Sequence, residues 1–247
     1  MFHDDHSAAA TTPGLERTGQ SSYREFPVPG LAHLARCGWS QEVTSADHVQ
    51  RVLPDNCADV LVTADGRAVL VGPPTRVELP RLVAGTRIAG LRIEPYAVRA
   101  IFGVDADELT DRTVGLDALL GDRAARRVAE EIWDGVPRQW RDVRPDPATV
   151  GIVEALTSAG APSVDAVAER AGYSPRHLRR LVRAETGLSP KTLQRVARLH
   201  EFLQRAGEGL GPAAAAAGYA DQPHATREIG ALTGLTPRLL LAERART

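Results

Sequence analysis

The feature that most constrains this chain of 247 residues is a sequence pattern that occurs twice near its C-terminus. The two copies span Val164–Pro190 and Gly211–Pro237. Both contain Ala-x-x-x-Gly-Tyr, and both end on Thr-Gly-Leu, then Ser or Thr, then Pro. A duplicated segment of this length predicts two copies of one supersecondary unit within a C-terminal domain.

Each copy has the pattern of a helix-turn-helix. In the first copy, Ala168 is small enough for a second helix to cross closely, and Gly172 can open the turn. Ser174 followed by Pro175 predicts the N-terminus of the second helix, because serine caps helices and proline is favoured at the first helical position. The second copy carries the same signals, with a turn one residue longer, at Ala214, Gly218 and Asp221–Pro223.

The second helix of the first copy is amphipathic. Leu178, Leu181 and Val182 recur at helical spacing and are predicted to face the core. The side chains left on the open face are Arg176, His177, Arg179, Arg180 and Arg183. Arginines on a short exposed helix suit a DNA major groove, where guanidinium groups bond guanine edges and phosphates. A solvated basic surface is the alternative for one such helix, and the duplication favours DNA binding.

The segment between the copies predicts a linking helix. Pro190–Ala206 is about 17 residues, or about 25 Å of helix. A helix of that length can hold two reading helices about one DNA turn, ~34 Å, apart. One chain would then read two successive major-groove segments.

Thr149–Arg246 resembles the two-headed DNA-binding domain of AraC-type transcription regulators. The resemblance includes both turns, the longer second turn, the Arg198-Leu199 pair in the linking helix and the closing Gly-Leu-Thr-Pro. It implies Arg176, Arg179 and Arg180 as base-reading residues in the first head. The matching positions in the second head are Gln222, His224 and Arg227.

The second head departs from the family pattern. Ala225 stands where the family usually has an aromatic residue, and Arg227 is the only cation of this helix. Glu228 would be repelled by phosphate if it faced the DNA backbone. We therefore expect the second head to bind weakly or chiefly to position the first. For His224, reading a base and packing on the turn are both open.

The net charge of −1 conceals an asymmetry. Residues 161–247 carry 13 Lys and Arg against 8 Asp and Glu, whereas the rest of the chain carries 17 against 23. A basic C-terminal domain joined to an acidic one is expected if only the former touches nucleic acid.

The N-terminal half reads as β structure followed by helices. Cys57–Thr63 and Ala68–Gly72 are rich in Val and Leu and flank a hairpin-turn signal, and Gly85–Ile93 adds another strand. A helical pattern returns at Pro95 and continues to Trp133. The predicted class is α+β, with an N-terminal small β-barrel or sandwich carrying accessory helices and a C-terminal all-α domain of two helix-turn-helix units. The predicted segments are a disordered tail (1–20), a sensor or dimerisation domain (21–136), a linker (137–148) and the DNA-binding domain (149–247).

This half is similar to an uncharacterised module that precedes AraC-type domains in many actinobacterial regulators. The residues that carry the similarity are Tyr23, Pro27, Pro29, Trp39, Val52–Asp55, Asp59-Val60, Gly72-Pro73 and Leu109–Arg112. The chain departs from the module at Glu94-Pro95-Tyr96, where Arg-Pro-Gly is more usual. This resemblance implies no particular ligand.

The sequence therefore predicts a cytoplasmic, sequence-specific transcription regulator that binds double-stranded DNA. It predicts no cofactor, no metal and no membrane partner. The N-terminal domain could sense a small-molecule effector, form a homodimer or contact RNA polymerase; the resemblance implies activation, and repression by occlusion stays open. An enzyme fused to a DNA-binding module is disfavoured, because His33 and His48 lack the further ligands of a metal barrel and no nucleophile or phosphate-binding motif is found. Cys37 and Cys57 lack metal-ligand spacing and predict buried free thiols.

Overall fold

A computed structural model describes residues 16–18 and 21–245, and within them the chain is an α+β protein, as predicted. Most of the predicted tail, 1–20, lies outside the described residues; Glu16–Thr18 within it forms the first strand. The strands are β1 (Glu16–Thr18), β2 (Ser21–Phe26), β3 (Ala35–Val43), β4 (His48–Val49), β5 (Ala58–Thr63), β6 (Ala68–Val71), β7 (Arg81–Leu82), β8 (Arg87–Ile93) and β9 (Thr113–Gly115). The helices are α1 (Val98–Phe102), α2 (Leu116–Leu120), α3 (Asp122–Asp134), α4 (Pro147–Thr157), α5 (Val164–Arg170), α6 (Pro175–Thr186), α7 (Pro190–Gln204), α8 (Leu210–Ala216), α9 (Gln222–Thr233) and α10 (Pro237–Arg244).

The predicted N-terminal β-barrel or sandwich is an antiparallel sheet that stays open, with no closed barrel among the described strands. Its order in the described part of the chain is β1-β2-β3-β8-β5-β6-β9, and the edge strands β1 and β9 do not pair with each other. The predicted hairpin is present: β5 pairs with β6 across a turn in which Gly66 has φ +85°. Helices cover one face of the sheet, so its apolar side is buried without closure of the strands.

The main core lies between the sheet and helix α3. Alternate residues of β5, namely Ala58, Val60 and Val62, are fully buried, as period-2 alternation requires. Val128 and Ile132 of α3 belong to the same buried cluster. This packing fixes the sheet against the helices that continue toward the DNA-binding domain.

The opposite face of the sheet carries a smaller buried cluster of Cys37, Trp39 and Ile88. A second small sheet pairs β4 with β7, and Leu82 of β7 packs against this cluster. Trp39 Nε1 donates to Asp59 Oδ1 at 2.7 Å. Both cysteines are buried and free among the described residues, in agreement with the sequence analysis.

The predicted linker 137–148 packs against both domains. Trp140 is buried in the N-terminal core and makes an edge-on contact with Phe102, with ring centroids 5.9 Å apart. Asp146 caps α4 by accepting hydrogen bonds from the backbone N and side-chain hydroxyl of Thr149, each at 3.0 Å. The boundaries of the domains stay a prediction.

The linking helix α7 joins two separate cores. Leu193 belongs to the cluster of the first head, whereas Val196, Leu199 and Phe202 belong to that of the second. The helix ends at Gln204, two residues before the predicted end, and is about 22 Å long. Because one continuous helix contributes to both cores, it sets the relative placement of the two heads.

Candidate DNA-binding surface

The first head is α5, a turn and α6, built by the predicted signals. Ser163 caps α5 and Ser174 caps α6; the Ser174 hydroxyl accepts a hydrogen bond from the backbone N of His177 at 3.2 Å. Gly172 in the turn has φ +72°, a left-handed conformation that favours glycine. The local chemistry therefore explains both the turn and the start of the reading helix.

Helix α6 separates apolar from basic side chains. Leu178 and Val182 are fully buried, and Leu181 is half-buried. The predicted DNA-contacting residues of this head are all exposed: Arg176, His177, Arg179, Arg180 and Arg183. The helix thus presents a basic face outward, while their individual roles on DNA stay a prediction.

The arginines of this face differ in their ion-pair and hydrogen-bond partners. Arg179 pairs with Asp165 at 3.2 Å, and Arg183 lies 3.7 Å from Asp107 of the N-terminal domain. Arg180 makes only a long 3.5 Å contact with Nδ1 of His177 among the described residues. Arg180 is therefore less constrained by its neighbours than Arg179.

The second head, α8 and α9, repeats this arrangement with the longer turn. Gly218 has φ +80°, and Asp221 caps α9 by accepting from the backbone N of His224 at 2.6 Å. Gln222 and Arg227 are exposed, and Ala225 is buried. The aromatic residue usual in the family is thus replaced by a small residue inside the core.

His224 is half-buried and contacts the turn. Its ring packs edge-on against Tyr219, with centroids 5.5 Å apart, and Nδ1 accepts from the backbone N of Ala220 at 3.2 Å. Nε2 lies 3.6 Å from Glu228. Both ring nitrogens therefore face protein groups in this structure.

Glu228 points toward the linking helix α7 and not outward. It therefore does not lie where it would repel the phosphates of bound DNA. Its side chain is only 9% exposed and pairs with Arg198 at 2.8 Å and Arg195 at 3.3 Å. These partners are not among those predicted from the sequence, although the i, i+3 spacing of the two arginines places them on one face of α7. The sparse charge of α9 remains the basis for expecting weak binding by the second head.

Replacing Glu228 by glutamine is expected to lower the free energy of unfolding by about 1–2 kcal/mol, because two partly buried arginines lose their counter-charge. Urea denaturation followed by circular dichroism measures the change. Glu208→Gln is the matched control, because Glu208 is half-exposed in its pair with Arg205. A loss in the control as large as in Glu228→Gln would contradict the buried role.

The N-terminal domain contacts both heads. On the first head, Thr110 Oγ1 donates to Gly187 O at 2.7 Å and Arg99 pairs with Glu185 at 2.9 Å. On the second head, Arg51 pairs with Glu243 at 2.6 Å, and the backbone N of Val77 donates to the carbonyl of Leu232 at 2.8 Å. The relative placement of the heads therefore depends on the N-terminal domain as well as on α7.

Helix α7 also meets the N-terminal domain at its middle. His200 Nε2 lies 2.7 Å from the carbonyl oxygen of Pro54, and Asn56 Nδ2 donates to the carbonyl of Leu193 at 3.2 Å. Because a carbonyl only accepts, Nε2 of His200 carries the proton in this contact. Burial lowers the pKa of His200 below its ordinary value of 6.5, so the folded protein favours the neutral ring.

Acidification is expected to weaken the folded state through His200. The unfolded chain takes up the proton first, so this contribution is present above about pH 6.5 and is lost as the pH falls below it. His200→Gln, which can still donate to Pro54, should reduce the loss in unfolding free energy between pH 7 and pH 5.5. Urea titrations at both pH values measure it, with the exposed His177→Gln as control. A pH dependence identical to wild type would remove His200 as a cause.

None of the helices in the described part of the chain is long and apolar enough to cross a membrane. Within the same residues, no group of three or more His, Cys, Asp or Glu side chains is arranged to hold a metal ion.

Two helix-turn-helix units on a shared helix, one of them with a basic exposed face, define a DNA-binding transcription regulator. Residues 167–243 match the family model described as a Helix-turn-helix domain, and residues 23–115 match a Domain of unknown function (DUF6597). The chain is thus a regulator with an AraC-type helix-turn-helix domain behind a DUF6597 domain, as the sequence resemblance implied.

Solved structures of ToxT from Vibrio cholerae are similar over most of the chain. An apo variant from strain SCE256 has 10% identity and a TM-score of 0.39, covering 92% of this chain and 98% of that one. Wild-type ToxT with a bound unsaturated fatty acid has 9% identity and a TM-score of 0.37, covering 92% and 96%. ToxT from strain O395 has 9% identity and a TM-score of 0.39, covering 89% and 97%. No curated protein matches significantly. The assignment therefore rests on the family models and the geometry of the heads.

Proposed function

We propose that the protein binds operator DNA sequence-specifically by placing α6 and α9 in two adjacent major-groove segments. The observation that carries this is the exposed basic face of α6 on a head that the continuous helix α7 joins to a second one. Arg176, Arg179 and Arg180 would read bases, while His177 and Arg183 would contact the flanking backbone. In the second head, Gln222, His224 and Arg227 would make the corresponding contacts.

The N-terminal domain, in this proposal, modulates DNA binding. Its contacts with Gly187 on one head and with Leu232 and Glu243 on the other support this role. A change in that domain would alter how the two reading helices are placed. An effector that prefers one arrangement would then shift the fraction of protein able to occupy the operator.

A protein partner for the N-terminal domain is the second candidate role. Val49, Leu79 and Val83, on or beside β4 and β7, are each more than half exposed. Exposed aliphatic groups of this kind are typical of surfaces that a partner covers. We propose that this surface forms a homodimer, or that it contacts RNA polymerase and so activates transcription in the cytoplasm. Light scattering of the purified protein gives its molar mass and shows whether the homodimer forms without a partner.

The experiment that tests the function is in-vitro selection of genomic DNA fragments by the full-length protein across a salt series. We expect one motif with two blocks about ten base pairs apart, because each head reads one groove segment about one turn from the next. Recovery of unrelated fragments whose binding falls steeply with salt would overturn sequence-specific reading, since it would reflect phosphate affinity alone.

A further inference from the structure

A cleft of about 330 Å³ lies between the N-terminal domain and the DNA-binding domain. One wall comes from the segments around Asp55 and Tyr96, and the other from α4 and α7. Its volume is in the range of small-molecule sites. Tyr96, one of the residues at which this chain departs from the usual N-terminal module, lines the cleft.

The polar groups of this cleft are mainly hydrogen-bond acceptors. The lining holds the carboxylates of Asp55, Glu94, Glu154 and Glu201 and one cation, Arg36. Two arginines outside the lining pair with two of these carboxylates, Arg92 with Asp55 and Arg205 with Glu201. Arg36 is already engaged, because it donates to both carboxylate oxygens of Glu94 at 3.0 and 3.2 Å. Glu154 is therefore the one carboxylate of this lining without a cationic partner among the described residues.

Two neutral side chains add acceptors to the same walls. His200 uses Nε2 to donate to Pro54, so the neutral ring leaves Nδ1 with a lone pair. Asn56 is 4% exposed and donates through Nδ2 to Leu193, yet its buried Oδ1 accepts no hydrogen bond from any described residue. A buried acceptor without a donor is uncommon in folded proteins and is satisfied by a group that brings one.

The shape and spacing of these groups select the kind of cation. No three acidic or histidine side chains of the described residues are close enough to share a metal ion. Pro95, Tyr96, Val153 and Ala197 supply apolar lining between the polar groups. A molecule that carries N–H donors at its end and an apolar body matches both features.

We propose that this cleft binds a small organic cation, an amine or amidine, as the effector of the regulator. The regulatory effect of such a ligand rests on the proposed function, because the walls of the cleft belong to the two domains whose relative placement orients the heads. A cation that pairs with Glu154 of α4 and donates to Asn56 Oδ1 of the N-terminal domain stabilises the docked arrangement, and it changes operator affinity in proportion to its preference for that arrangement.

The test is isothermal titration of the full-length protein with benzylamine, benzamidine, agmatine and spermidine, with benzyl alcohol and benzoate as neutral and anionic counterparts. We expect at least one cation to bind with a stoichiometry of one and neither counterpart to match it. Glu154→Gln should weaken binding about tenfold, since it removes the charged acceptor that no arginine of the described residues pairs with. Glu130→Gln, at an exposed glutamate of α3 outside the cleft, should leave binding unchanged.

Circular dichroism establishes that each variant is folded before titration. Failure of all four cations to bind would overturn the proposal, as would equal affinity of wild type and Glu154→Gln. Tight binding of benzoate would overturn the ligand class. The regulatory part predicts that a saturating cation changes the dissociation constant for the selected DNA about fivefold or more, and an unchanged constant would overturn it.

The in-vitro selection of DNA fragments is carried out with and without added amine, so that failure of the effector site can be told apart from failure of the proposed function. If the protein selects its DNA motif but binds no cation, only the proposed effector site is wrong. If the protein binds the cation but selects no DNA motif, either with or without the cation present, the proposed function is wrong.

Discussion

Gly187→Ala is expected to lower the free energy of unfolding by about 2–5 kcal/mol. Gly187 ends the reading helix α6 with φ +76°, where a side chain costs about 1–2 kcal/mol. A Cβ at this position would also lie 2.7 Å from Thr110 Oγ1 and 2.8 Å from the backbone carbonyl of Ala106. Because backbone of the N-terminal domain cannot yield easily, overpacking adds about 1–3 kcal/mol.

The duplicated sequence provides the control for this experiment. Gly234 ends α9 at the matching position with φ +71°, but the nearest atom to its added Cβ is Val77 Cγ1 at 3.6 Å, an ordinary contact. Gly234→Ala should therefore lose only the conformational cost of about 1–2 kcal/mol. Urea denaturation of both variants measures the difference, and equal losses would contradict the close docking of the N-terminal domain at Gly187.

Arg180→Ala is expected to weaken operator binding by about 1–3 kcal/mol and to relax base preference at one position of one block. The side chain is exposed on α6 and makes only the long contact with His177, so little holds it away from a base edge. The readouts are competition binding to the selected motif and a repeat of the selection with the variant.

Arg126→Ala is the control for Arg180→Ala, because Arg126 is an exposed arginine of α3 in the N-terminal domain. It removes the same charge from the whole protein without touching the heads, so base preference and affinity should stay near wild type. An unchanged base preference in Arg180→Ala would remove Arg180 from the reading residues. A uniform loss over all sequences would make it a phosphate contact instead.

The sequence was sufficient for most of the DNA-binding domain because its signals are local. Caps at Ser174 and Asp221, glycines in the turns, and apolar spacing around Leu178 act within a few residues, so they predict helices, turns and the exposed basic face directly. The duplication then identified two heads. The N-terminal strands and the hairpin before Ala68 were also local, since alternation and turn chemistry depend only on neighbouring residues.

Local sequence signals do not determine whether the N-terminal sheet closes into a barrel. Runs of short strands separated by prolines are compatible with a barrel or an open sheet, and the outcome depends on what covers the apolar face. Here α3, which begins at Asp122 although β8 ends at Ile93, covers it. The open sheet is therefore a consequence of packing between distant segments.

The sequence by itself determined the two heads, their caps and turns, and the basic face of α6, because each depends on interactions along a few turns of chain. Only the tertiary structure decided that Glu228 faces Arg198 rather than DNA, that the N-terminal domain contacts both heads, and that Asn56 meets Leu193 beside an acidic cleft. Those contacts join residues far apart in sequence, and their energies depend on burial and on the charge of partners that no local pattern specifies.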